Sequence, residues 1–119
     1  MELKESLSNP LRRREAEEIM KKNPNKIPII CEKDPNCKLK DLSKQKYLIN
    51  KDLDVGPFIS NIRSKLEIAE KEALFLVAKK NKKFYAITSS ETFAKVYEKY
   101  KAEDKFLHIV YTSDEIWGY

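Results

Sequence analysis

One stretch of this chain dictates where its core must form. Val55, Phe58, Ile59, Ile62 and Leu66 recur at the i, i+3, i+4, i+7, i+11 spacing that lines one face of a helix. Asp54 stands before them as an N-cap. The rest of the chain is mostly short apolar runs of strand length, so this helix is the element against which they must pack. With 119 residues the chain has room for one domain. Hydrophobic residues make up 41%, enough for a compact core, and charged residues 36%, which implies a surface dense with charge.

The strands are read from alternation and turn chemistry. Residues 26–32 alternate, with Ile27, Ile29 and Cys31 on one side and Ile30 on the other. Pro28 by itself would suggest an edge strand. Asp34-Pro35-Asn36 is a turn. Residues 46–50 form a second strand, close enough to pair with the first as a hairpin. Residues 73–78 form a buried strand. Residues 79–83 form a polar turn, and residues 84–87 a short possible return. Thr88 and Glu91 read as a capping box before a helix whose face is Phe93, Val96, Tyr97 and Tyr100. Residues 106–112 alternate again. At the front, Asn9-Pro10 predicts a helix start, with the helix running over residues 10–22 and a thin apolar face of Leu11, Ala16, Ile19 and Met20.

The expected architecture is α+β: a ubiquitin-like β-grasp roll with a four-stranded mixed sheet and an N-terminal helical extension. It divides into the helical extension at 1–24, the core at 25–113 and a C-terminal tail at 114–119.

Several functions are excluded by composition. Only two glycines occur, which removes phosphate-loop and dinucleotide fingerprints. The longest apolar run, residues 73–78, is far short of the ~20 residues a bilayer-spanning helix needs. The charged opening residues predict no signal peptide. Cys31 and Cys37 form no CxxC, and with His108 as the only histidine no metal site is expected; the thiols are expected reduced in a cytosolic protein. Cys31 and His108 could be pictured as nucleophile and base, but their strands point them to opposite faces. No cofactor and no enzymatic activity are expected. The net charge of +5 suits weak attraction to anionic surfaces, among them membranes and tubulin tails. The basic residues are spread along the chain, so no nucleic-acid partner is expected.

The segments Ile27-Pro28-Ile29-Ile30-Cys31-Glu32-Lys33, Lys46-Tyr47-Leu48-Ile49 and Asp52-Leu53-Asp54-Val55-Gly56-Pro57-Phe58 stand in order along the chain. So do Ala73-Leu74-Phe75, the run from Tyr97 to Asp104, Phe106 to Tyr111, and the tail Ser113-Asp114-Glu115-Ile116-Trp117-Gly118-Tyr119. Together they resemble the autophagy-related ubiquitin-like modifiers of the GABARAP and microtubule-associated light-chain family, over nearly the whole chain. The resemblance implies a modifier that a cysteine protease trims of Tyr119. Activating and conjugating enzymes would then join Gly118 to phosphatidylethanolamine on the autophagosomal membrane. Glycine suits that chemistry, because without a Cβ it threads narrow channels and leaves its carboxylate unhindered. The protein would be cytoplasmic, and membrane-bound once lipidated.

The resemblance also implies capture of receptor and adaptor peptides with aromatic-x-x-aliphatic motifs flanked by acids. An extended peptide can add to an exposed sheet edge, and the strand at residues 46–50 is the candidate. The aromatic pocket maps to Glu15, Ile19, Pro28, Ile30, Lys46, Leu48 and Phe106, and the aliphatic pocket to Tyr47, Ile49, Leu53, Phe58 and Ile62. Lys26, Lys46 and Lys65 would meet the acids. Phe75-Leu76-Val77 is a third candidate surface. Departures from the family pattern are Asn50 for proline, Asn61 for an aliphatic residue, Lys26 for arginine, His108 for tyrosine, and a turn over residues 79–85 about four residues longer. The alternatives are an unconjugated basic adaptor for microtubules or RNA, which needs Arg12-Arg13-Arg14 and Lys21-Lys22 but not Gly118, and a ubiquitin-like modifier of protein amines.

Overall fold

A computed structural model describes residues 2–69 and 71–113. The elements follow in the order α1 (Glu2–Lys22), β1 (Lys26–Lys33), β2 (Lys46–Asn50), α2 (Val55–Lys65), β3 (Phe75–Lys80), β4 (Lys83–Ala86), α3 (Phe93–Tyr100) and β5 (Leu107–Thr112). The strands form one mixed sheet in the order β2-β1-β5-β3-β4, with β1 and β5 parallel at its centre. This is the β-grasp roll with five strands where four were expected. The fifth is β4, because residues 79–83 are not all turn. Lys79 and Lys80 stay in β3, Lys83 opens β4, and only Asn81 and Lys82 make the turn. Both have positive φ, 52° and 66°, as a two-residue hairpin turn requires. Lysine reads as polar in a sequence, yet half-exposed strands carry it readily.

β1 resolves the conflict raised by Pro28. Lys51 donates its N–H to Asn25 and Cys31 to Gln45. Hydrogen-bonded pairs alternate along an antiparallel ladder, so the Pro28–Leu48 pair is a non-hydrogen-bonded one and the proline nitrogen faces away from β2. On that side the β5 ladder begins only at Ile29. The missing donor of Pro28 therefore costs the sheet nothing, and an interior strand tolerates it.

The core lies on one face of the sheet. Ile27, Ile29 and Cys31 of β1, Leu76 and Ala78 of β3, and Leu107, Ile109 and Tyr111 of β5 pack against Val55, Phe58 and Ile62 of α2 and Phe93 and Val96 of α3. The residues that set the helical period before Leu66 are thus the ones that seal this face. The helix starts are built differently from expectation. Asp54 is the N-cap of α2 but its side chain makes no capping bond. Instead the N–H groups of Val55 and Gly56 donate to the carbonyls of Glu91 and Ser89, and those of Phe93 and Ala94 donate to Leu53 and Lys51. The two helix N-termini satisfy each other's open donors. α3 is capped by Thr92, whose hydroxyl accepts from the Lys95 N–H, and not by Thr88. The Thr88–Glu91 pair is real but forms the preceding turn, with the Glu91 carboxylate accepting from the Thr88 N–H at 2.9 Å. The long β1–β2 loop is pinned by Tyr111, whose hydroxyl donates to the Lys40 carbonyl and accepts from the Leu42 N–H.

α1 lies on the other face. It runs from Glu2 and carries Pro10 inside it, where the sequence places the start. Proline costs one backbone bond there but does not end the helix. Its apolar contact is small: Ala16 packs with Ile30 and Phe106, flanked by Ile19 and Met20, while Leu11 is 65% exposed.

Candidate functional site

β2 is an edge strand, so one side of its backbone has no strand beside it. Its side chains alternate across the sheet. Lys46 and Leu48 pair with Ile30 and Pro28 and face α1, whereas Tyr47 and Ile49 pair with Ile29 and Ile27 and face α2. One edge strand therefore presents side chains to both faces of the sheet.

On the α1 face, the residues assigned to the aromatic pocket come together but are largely closed over. Pro28, Ile30 and Phe106 are buried, Ile19 is partly buried, and Leu48 is exposed. Lys46 Nζ lies 2.8 Å from Glu15 Oε1 and 5.9 Å from the Phe106 ring centroid. The ion pair joins α1 to β2 directly over the Ile30–Phe106 floor.

On the α2 face, Tyr47 and Phe58 meet edge to face at 5.6 Å between ring centroids, and Lys65 Nζ lies 5.2 Å above the Tyr47 ring. Ile49 is partly buried and Leu53 is 48% exposed. Ile62 is fully buried and Phe58 nearly so, hence Ile62 offers a ligand no surface and belongs to the core. Lys26 pairs with Asn50 at the far end of β2 and does not join the Lys46 cluster. Asn50 builds the turn out of β2: its Oδ1 accepts from the Asp52 N–H, and its carbonyl from the Leu53 N–H. The third candidate surface is not open, in keeping with the reading of residues 73–78 as a buried strand. Leu76 and Val77 are buried in β3, an interior strand between β5 and β4. Gly118 and Tyr119 lie outside the described residues.

Sequence reasoning missed the cluster that anchors α1. Asp104 is 2% exposed, and its Oδ2 lies 2.8 Å from both Arg12 Nε and His108 Nε2. Its Oδ1 accepts from the Phe106 N–H at 3.0 Å. Burial alone would raise this carboxyl, but the bonds from His108 and Arg12 outweigh it, aided by the Phe106 N–H, and hold it at about 2. Further bonds tie the same helix to the loop before β5. Lys105 pairs with Glu17 at 2.8 Å, and Arg13 donates to the Glu103 carbonyl. Arg12 belongs to a basic run that reads as a solvated face, and nothing local marks its partner.

Cys31 and His108 are separated by the sheet itself. Cys31 sits among the core residues, and burial pushes its thiol up to about 12. His108 pairs with Ile30 on the α1 face and is engaged by Asp104. Among the described residues no group of histidines, cysteines and acids could hold a metal, and no helix is long and apolar enough to cross a membrane.

A mixed sheet with parallel central strands β1 and β5, wrapped on a core helix and carrying a helical extension on its opposite face, defines a ubiquitin-like protein. The family described as "Autophagy protein Atg8 ubiquitin like" matches residues 11–118, and the chain belongs to it. Among solved structures it is similar to the ATG8 of Trypanosoma brucei, at 35% sequence identity and a TM-score of 0.75, over 87% of this chain and 86% of that one. Proteins of this family are ubiquitin-like modifiers and adaptors of autophagy and not enzymes; lipidation and the autophagosome are features of the family.

Proposed function

We propose that this protein is a lipid-conjugated autophagy modifier that recruits peptide-bearing receptors through the β2 edge. A cysteine protease removes Tyr119. The Gly118 carboxylate is then activated as an adenylate, passed between enzyme thiols as a thioester, and joined as an amide to the amine of phosphatidylethanolamine. The conjugate moves from the cytoplasm to the autophagosomal membrane, where an aromatic-x-x-aliphatic peptide extends the sheet at β2. Family membership running through Gly118 supports the first half. The observation that carries the second is the edge strand β2, whose alternate residues face opposite sides of the sheet. A peptide lying along β2 places its own alternate side chains on both faces. Ile30, Leu48, Phe106 and Ile19 would receive the aromatic residue, with Pro28 beneath it. Tyr47, Ile49, Leu53 and Phe58 would receive the aliphatic one, over a base that includes Ile62. Lys26, Lys46 and Lys65 would meet the flanking acids. Each such exposed pair is worth ~0–1 kcal/mol, so the anchors in the pockets dominate.

The test is intact mass after incubating the chain, and a Gly118→Ala variant, with cell extract and ATP. Loss of one tyrosine followed by a glycine-dependent gain of one phosphatidylethanolamine is the expected result. No cleavage and no adduct, in an extract active on a control modifier, would overturn the reading.

A further inference from the structure

α1 packs on β1 and leaves the β3–β4 side of its own sheet face uncovered. A groove of about 700 Å³ opens there. Ile30, Val110 and Phe84 give it an apolar floor, and Phe84 is 41% exposed, one of few large apolar side chains so placed. Its position is fixed by pairing with Lys79 across the hairpin. Its wall carries Lys79 and Lys82 from the β3–β4 hairpin, and neither has a carboxylate partner among the described residues; the wall acids are Glu32 and Asp34. Lys33 and Lys80 also border the groove but turn to the Cys37 and Lys99 carbonyls. Such a surface is apolar at the base and positive at the rim, and it is concave. A flat bilayer does not fill a groove, whereas an extended chain does.

The groove also continues from the β2 site, since Ile30 and Lys46 line both. The direction of a peptide on β2 follows from the pockets. The depression for the aromatic residue lies at the Lys46 end, and that for the aliphatic residue toward Asn50 and Leu53. The chain therefore runs parallel to β2, and the residues before its aromatic side chain emerge beside the groove. From a strand added outside β2 to β3 is four strand spacings, about 19 Å, which about six extended residues cover.

Resting on the reading of β2 as a peptide-docking edge, we propose that this groove is a second docking arm. It takes an acidic segment, containing one apolar residue, that lies N-terminal to the aromatic-x-x-aliphatic motif of the same partner. Lys79 and Lys82 meet the acids, and Phe84 meets the apolar side chain.

Three synthetic peptides test this by titration calorimetry. The first carries only the short motif, Glu-Trp-Glu-Glu-Leu. The second adds Asp-Glu-Leu-Asp-Glu before it, with a two-residue glycine-serine spacer. The third adds the same block after the leucine. The N-terminal extension is expected to bind about tenfold more tightly than the short motif at low salt, and the C-terminal extension to gain at most twofold. The double variant Lys79→Glu, Lys82→Glu should abolish the gain and leave short-motif affinity within twofold. Phe84→Ser should remove part of it. Both substituted lysines are exposed, so the fold is not at stake. Equal affinity for short and extended peptides overturns the second arm and leaves the β2 reading standing. Failure of the short peptide to bind overturns both. A gain that survives the double variant, or a C-terminal extension as tight as the N-terminal one, also overturns it. If the extension adds nothing, but vesicles containing phosphatidylserine bind the native chain and release the double variant, the patch is a membrane contact and the proposal fails.

Discussion

The two faces of the sheet are held by different physics. Under α2 and α3 lies a continuous apolar core of large side chains, several of them wholly buried. Under α1 lies a cluster of three buried residues, and the helix is fastened by charge: Arg12 to Asp104, Glu15 to Lys46, Glu17 to Lys105. An apolar interface of the first kind loosens only with the whole fold. The exposed pairs Glu15–Lys46 and Glu17–Lys105 exchange with water, or with a ligand's charges, at little cost, whereas the buried Asp104 is the firmer anchor. The first face gives the domain its stability, and the second gives it a surface that can be rearranged. The residues proposed to receive an aromatic side chain lie on the second.

The sharpest way to break this contrast is to cut the same atoms from each face. Ile62→Ala removes a fully buried side chain from the α2 core and is expected to cost ~3–4 kcal/mol. Ile30→Ala, in the small cluster under α1, should cost about half as much, because the thinly packed helix can settle into the space. Urea unfolding of both variants checks this, and equal losses would show that α1 is as integral to the core as α2.

Asp104→Asn tests how far charge fixes α1. The change keeps the shape but removes the charged acceptor shared by Arg12 and His108. The expected loss is ~2 kcal/mol at neutral pH, the order implied by a carboxyl held at about 2 against an ordinary value of 3.8. The sign follows from that depression. The contribution is fully present above pH ~4 and is lost as pH falls toward 2, so native and variant stabilities should converge over that interval and run parallel above it. Unfolding curves from pH 2.5 to 7 measure it. A difference that persists undiminished at the acid end would assign the effect to packing and not to charge.

The same contrast explains what the sequence allowed one to read. The α2 face was legible because its signal is local. Val55, Phe58 and Ile62 carry the helical period, and β5 alternates opposite them, with Leu107, Ile109 and Tyr111 buried. β2 was legible as a strand, but its place at the sheet edge came from the resemblance to the family, since its own residues do not mark an edge. The front helix was misread at Pro10, where a rule for helix starts met a helix that runs through it. β4 was underread because its lysines looked like turn. The Asp104 cluster could not be read at all. Arg12 and Asp104 are 92 positions apart, and a basic run beside a glutamate-rich helix looks solvated until the fold brings the acid beneath it. Likewise, Ile62 keeps the period of α2, but only packing shows that it lies wholly inside.

The smallest effect expected is also the most informative about function. Glu15 and Lys46 form an exposed pair across the mouth of the aromatic depression, with side chains 43% and 56% exposed. Such a pair contributes ~0–1 kcal/mol, so Glu15→Gln should leave the unfolding midpoint within a degree or two. Yet in the proposed peptide-docking mode Glu15 is the group that a ligand's acid displaces to reach Lys46. Removing its charge while keeping its shape should tighten the short acidic motif about twofold to threefold, and should do nothing for a motif whose flanking acids are replaced by glutamine. Lys46→Ala is the reciprocal variant, and it should erase the difference between the two motifs. If Glu15→Gln instead destabilises the domain by as much as Asp104→Asn, the pair is a structural clamp. The face under α1 would then be no more open to rearrangement than the core on the other side of the sheet.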